Sequence, residues 1–232
     1  MSRYIMDTLF ERTTNTRHKV DMQDRWNCFY DESATYVARL IEARNPLTHS
    51  EILTIPMDYY PAVITKLAGD LDIPELRFEG VGDEAKLKAV LQNCRLNEVL
   101  QSVGLMMELL RTVGVQVSWD NTLNRVNLTP TPPMHFDAHF PTPSPNFHNA
   151  DGLVLYSQDF KVVWTETEWA KRSNNDSDEV RGPNLYGILP FSVFQVIDTG
   201  DEFWKTGGQN LYTLCLALSY HWSDLMYTAE FQ

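Results

Sequence analysis

The sequence predicts an α+β fold of N-terminal helices, central antiparallel hairpins and a long C-terminal helix. Three observations predict it. Apolar residues recur at three- and four-residue steps as far as Leu110, alternate with period two from Val115, and return to helical spacing after Gly207-Gly208. The last change divides the chain into an α+β body over 1–207 and a single helix over 208–232.

Trp26, Phe29, Tyr30, Val37, Leu40 and Ile41 lie on one helical face, and Asn45-Pro46 stops it because a residue before proline leaves the α region. Pro61 fits the first turn of the next helix, whose stripe is Tyr60, Val63, Ile64, Leu67 and Leu71. Leu76–Glu79 reads as a short strand. Asp83 is placed to cap a helix bearing Leu87, Val90, Leu91 and Cys94. Asn97 is placed to cap another with Leu100, Val103, Met107 and Leu110, which ends before Gly114. Met106 and Met107 read as core filler.

Val115, Val117 and Trp119, the turn residues D-N-T-L-N, then Val126 and Leu128 make a hairpin. Leu153–Tyr156 and Lys161–Trp164 make a second. Between them T-P-T-P-P-M-H-F-D-A-H-F-P-T-P-S-P is too rich in proline for a sheet interior and reads as extended loop or edge. Residues 171–184 are polar and read as surface loop. In G-P-N-L-Y-G-I-L-P-F-S-V-F-Q, Gly187 permits a sharp entry, and Pro190 places the apolar strand at a sheet edge. The final helix carries Leu211, Leu214, Cys215, Leu218, Trp222 and Leu225 on one stripe, with Tyr212, Tyr220 and Tyr227 off it. A helix apolar on more than one side needs more than one neighbour, so Tyr212, Tyr220, Trp222 and Tyr227 are the candidate oligomer-interface residues.

Composition narrows the function. Nineteen Lys and Arg against 31 Asp and Glu give a net charge of −12 over 232 residues, which excludes binding of nucleic acid by phosphate neutralisation but not a passage that DNA slides through. M-S-R-Y-I-M-D-T-L-F lacks a signal-peptide apolar run, and no stretch approaches the roughly 20 apolar residues of a membrane span. The expectation is a soluble protein made in a cytoplasm, without membrane contact. Cys28, Cys94 and Cys215 are widely spaced and signal neither a disulfide framework nor a zinc cluster.

No G-x-x-x-x-G-K-[ST], G-x-G-x-x-G or G-x-S-x-G occurs, so no catalytic set and no cofactor are predicted. In an extended segment His135, Asp137 and His139 would share one face, with His148 and Asp151 near enough to complete a metal site. That makes a metal-dependent hydrolase the alternative to a structural protein, and a plain interaction domain the third reading. No H-E-x-x-H accompanies the cluster, so no metal is expected. Asp176, Asp178 and Glu179 match no calcium loop.

The order of these pieces resembles the N-terminal half of a tailed-bacteriophage portal protein. The residues that carry the resemblance are Leu109, Leu110 and Gly114, in a helix ending L-L-x-x-x-G before a hairpin, and Tyr186, Gly187, Pro190 and Phe191 in N-L-Y-G-I-L-P-F-S-V-F. The resemblance implies a non-enzymatic virion protein with a wing-like body over 1–207 and a stem-like helix over 208–232. It implies a homo-oligomeric ring, dodecameric in that family, around the DNA channel at the capsid vertex, serving genome packaging and ejection. Capsid and head-tail connector proteins are its implied partners, and DNA passes without sequence-specific contact. Portal proteins continue through a clip, a second stem helix and a crown, whereas the sequence ends at Gln232. A truncated or split gene product, a fragment, or a relative with another role are the alternatives, and docking of the packaging motor through the clip is not carried over.

Overall fold

The computed structural model describes residues 6, 17–69, 83–144, 146–174, 179–196, 203–205 and 207–231. Helix α1 (Arg17–Asn27) passes through a π-helical turn (Cys28–Glu32) into α2 (Ser33–Arg44), and α3 (Tyr59–Gly69), α4 (Glu84–Asn93) and α5 (Leu96–Leu110) follow. Strands come next: β1 (Thr112–Asp120), β2 (Arg125–Thr131), β3 (Phe136–His139), β4 (Gly152–Tyr156), β5 (Phe160–Thr165), β6 (Glu168–Ser173), β7 (Glu179–Pro183) and β8 (Phe191–Gln195). The 23-residue α6 (Gln209–Phe231) comes last. The class is α+β, as the sequence predicts. Among the described residues no helix is long and apolar enough to cross a membrane.

Local chemistry explains most boundaries. Asn45 ends α2, its N–H still bonded to the Ile41 carbonyl at 2.8 Å, because Pro46 follows. The Asp83 carboxylate accepts from the Lys86 N–H at 3.1 Å and caps α4. The expected cap at Asn97 is displaced. Helix α5 starts at Leu96 behind Arg95, which stands in the left-handed region at φ 53°, so Asn97 already lies inside the helix.

All strand pairs are antiparallel, in one sheet ordered β2-β1-β8 and another ordered β3-β4-β5-β6-β7. The expected hairpins are β1-β2 and β4-β5. The proline-rich segment does join a sheet, as the edge strand β3, once Pro133–His135 have formed a single 3-10 turn. The expectation of a loop over 171–184 is wrong for its described part, since those residues complete β6 and form β7. Polar side chains on the outward face hide this strand pair from a hydrophobicity reading. Ala170, buried opposite Val163, seats β6 on β5, and an ion pair of 2.7 Å between the directly opposed Arg172 and Glu179 joins β7 to β6. Glu179 is therefore engaged by Arg172 and by Arg181. Asp176 and Asp178, like Leu71 and the strand expected at Leu76–Glu79, lie outside the described residues.

Among the described residues β8 pairs on one side, with β1, so the expected edge strand is present. Pro190 stands immediately before it, buried, and its carbonyl extends the ladder by accepting from the Val117 N–H at 2.9 Å. Gly187 has φ +67° and open space where a β carbon would be, so backbone conformation alone selects glycine. Phe191 is 7% exposed and lies over Gly114, its diagonal neighbour on β1, and against Phe136 of the other sheet, with ring centroids 4.8 Å apart. A β carbon on Gly114 would stand 2.0 Å from Phe191 Cζ and 3.1 Å from Phe136 Cε1. The two sheets therefore meet through a glycine that leaves room for a ring.

Gly114→Ala is expected to lower stability by roughly 1–3 kcal/mol, because the ring must leave its seat to admit one methyl group. Urea denaturation checks this, and a midpoint equal to that of the wild type would show that the ring can move at no cost.

Candidate functional site

α6 presents two faces of opposite character. Its inner face holds Tyr212, Cys215, Ser219, Tyr220 and Ser223, all buried. The Ser219 and Ser223 hydroxyls accept from the Met57 and Ile55 N–H groups at 3.1 and 3.0 Å, so the chain before α3 is fastened along this side. Those same hydroxyls donate to the carbonyls of Cys215 and Ser219. Asn45 Nδ2 donates to the Tyr220 hydroxyl at 3.2 Å. The Tyr212 ring stands edge-on to Tyr60 at 5.6 Å and to Tyr36 at 6.2 Å. Burial raises the pKa of Tyr60 and Tyr212 and pushes the Cys28 thiol up to about 11, as expected where water is excluded.

The outer face carries Leu214, Leu218, Trp222, Leu225 and Met226, between 42% and 56% exposed. Their spacing of four, four, three and one makes one continuous stripe along the helix. Beside α6, helix α3 likewise exposes Tyr59, Val63 and Leu67 at four-residue steps. No Lys or Arg occurs anywhere in α6.

This arrangement redistributes the four expected interface residues. Tyr212 and Tyr220 are only 6% and 8% exposed and belong to the core of their own chain, which corrects their place in the expected interface. Tyr227 is half-buried and donates to Glu51 Oε2 at 2.7 Å. Trp222 faces outward. The expected apolar stripe exists but points mainly to solvent, because the serine-bearing side is the one that satisfies the backbone before α3. Serines four residues apart at 219 and 223, in line with Tyr212 and Tyr227, were the sequence signal for the inner face.

A second apolar feature is the loop between β7 and β8. Buried Asn184 holds it by donating from Nδ2 to the carbonyls of Thr165 and Ile188, both at 2.8 Å, and by accepting from the Tyr186 N–H at 3.0 Å. Leu185, Tyr186 and Ile188 project from this fixed loop and are all exposed.

The histidine cluster is only partly assembled. His139 Nδ1 lies 2.5 Å from Asp151 Oδ1. Asp137 is 3.7 Å from the buried Lys19 ammonium, which itself donates to the Phe136 carbonyl at 2.8 Å. His135 ends the 3-10 turn before β3, outside the strand whose alternation was to align it with Asp137 and His139. His148 is exposed in a separate turn. Among the described residues no three His, Cys, Asp or Glu side chains converge as metal ligands would. Comparison with family models and with curated protein sequences finds no match.

His135→Ala combined with His139→Ala is expected to leave the fold intact and to cost at most about 1 kcal/mol, the value of a partly exposed pair. Circular dichroism, urea melts and metal analysis of the purified protein check this. Stoichiometric zinc or manganese in the wild type, lost in the double variant, would make the cluster a metal centre.

Proposed function

We propose that this chain is a structural, non-enzymatic protein that assembles with copies of itself through the outer face of α6. The observation that carries this reading is that α6 is apolar on two sides: Tyr212, Cys215 and Tyr220 are buried in the chain's own core, and a second, continuous apolar stripe is left exposed. Continuous exposed apolar surface marks an interaction site more often than isolated exposed leucines do. Burying it is worth roughly 25 cal/mol per Å², and the absence of cations along α6 means that no buried lysine or arginine opposes close packing.

Together with the resemblance of the chain to portal proteins, this face supports a ring in which α6 is a stem-like helix packed against the neighbouring subunit. In that reading β1, β2 and β8 belong to the wing, and the fixed Leu185–Ile188 loop is exposed at its margin. The ring surrounds a channel for DNA at the capsid vertex. A chain of net charge −12 suits a channel that must let DNA pass rather than grip it. Capsid and head-tail connector proteins are the partners this role implies.

Trp222→Lys tests the proposal. The variant is expected to keep the far-UV circular dichroism of the wild type while its self-association weakens by about 30-fold, the effect of losing a contact worth roughly 2 kcal/mol. Sedimentation velocity reads the association. Loss of the fold itself would place Trp222 in the intramolecular core, and unchanged association would remove α6 from the interface.

A further inference from the structure

The seat of the Phe191 ring has an open neighbour. Gln116 stands opposite Phe191 of β8 and opposite Thr129 of β2, so the three share the face of β1 that meets the five-stranded sheet through Phe136. Thr131, paired with Gly114, lies on the same face. On the β2 side of the ring the two sheets part around a cavity of about 310 Å³, at the lower end of the roughly 300–1,000 Å³ that ligand pockets occupy. Gln116, Thr129 and Thr131 line it from the three-stranded sheet. From the five-stranded sheet come the opposed pair Leu155 and Val162, with Ser157 and Phe160 beyond them. His135, from the 3-10 turn before β3, borders the cavity as well.

Two properties of this lining define what it can hold. Although 22% of the chain is charged, no Asp, Glu, Lys or Arg lines the cavity among the described residues. Its polar groups are also unspent. The Gln116 amide, the His135 ring and the Ser157 hydroxyl make no hydrogen bond to any described residue. The Thr131 hydroxyl, by contrast, is already given to the Thr129 carbonyl at 3.1 Å. An apolar surface with a few uncommitted polar groups is the usual composition of a small-molecule site.

We propose that the cavity between the two sheets binds a small uncharged ligand with a planar amide or lactam edge. The Gln116 side chain offers a donor and an acceptor side by side, and the group that answers both is another amide or a lactam. Leu155, Val162 and Phe160 supply apolar surface for a flat ring. A charged ligand would give up its hydration there and meet no counter-ion. His135 suits the same chemistry: partial burial lowers its pKa, so the ring is neutral at neutral pH and offers one donor and one acceptor nitrogen. None of the lining residues belongs to α6, so the site is independent of the proposed self-association.

The test is NMR titration of the full chain with benzamide, and with benzoate and benzylammonium as charged counterparts of similar size. The His135 ring is the reporter, its resonance identified by its absence from His135→Ala. Benzamide is expected to shift that resonance saturably, and the two charged compounds to bind roughly tenfold more weakly or worse. Gln116→Leu keeps the bulk but not the amide, and is expected to fold as the wild type does and to bind benzamide roughly tenfold more weakly. Val162→Phe fills the cavity and is expected to abolish binding. Circular dichroism checks both folds, and either variant decides if the other fails to fold. No saturable shift up to the solubility limit of benzamide, or wild-type affinity in a folded variant, overturns the site. Equal affinity for benzoate or benzylammonium overturns the assignment to an uncharged ligand.

Discussion

The packing of Phe191 over Gly114 and against Phe136 is the constraint on which the β region depends. It joins the three-stranded sheet to the five-stranded one, and the chain that follows β8 adds Phe203 and Trp204 to the same aromatic group. Gly114 also follows shortly after α5 in the chain, so the seat for the ring is fixed relative to the helices. The Val196 N–H bonds to the Arg111 carbonyl at 3.0 Å, and the Lys205 N–H to Thr112 Oγ1 at 3.1 Å, so the segment after β8 is tied back to the end of α5. α6 is launched from this joint. Arg25 Nη1 donates to the Gly207 carbonyl at 2.6 Å just before α6 begins, and the inner face of α6 is fixed by the serines that hold the chain before α3.

This architecture separates a dry intramolecular core from an apolar surface that none of the described residues covers. Three tyrosines, three cysteines and the serine hydroxyls of α6 lie within, where each buried hydroxyl of the serines both accepts a backbone N–H and donates to a helical carbonyl. Leucines and a tryptophan lie outside. The helix is apolar on both sides, and a second apolar side has a physical explanation if it is buried by another subunit. The proposed ring supplies such a neighbour.

The sequence made the fold class legible because the hydrophobic period changes twice, and because single residues with strong local preferences mark several ends: Asn45-Pro46, Asp83 and Gly187. It left β6 and β7 illegible. Their stability comes from cross-strand pairs such as Arg172 with Glu179, and such pairs look like solvated loop when read along the chain. Arg95 and Arg111, both in left-handed conformations, also broke expectation, since nothing in an arginine announces a positive φ. For the site, the periodicity gave the apolar stripe of α6 and the tyrosines off it, but two of the residues expected at the interface, Tyr212 and Tyr220, lie in the core. Periodicity gives the faces of a helix but not which face the rest of the chain covers. That choice was made by the unpaired N–H groups of Ile55 and Met57, more than 160 positions away in sequence.

The central claim is that the outer face of α6 is covered by another copy of the chain. Electron microscopy of the purified wild-type protein, paired with its mass in solution over a range of concentrations, tests it most directly. The account predicts closed rings of one multiplicity with a mass that is a whole multiple of 26.8 kDa. Particles that remain at 26.8 kDa at every concentration would contradict it.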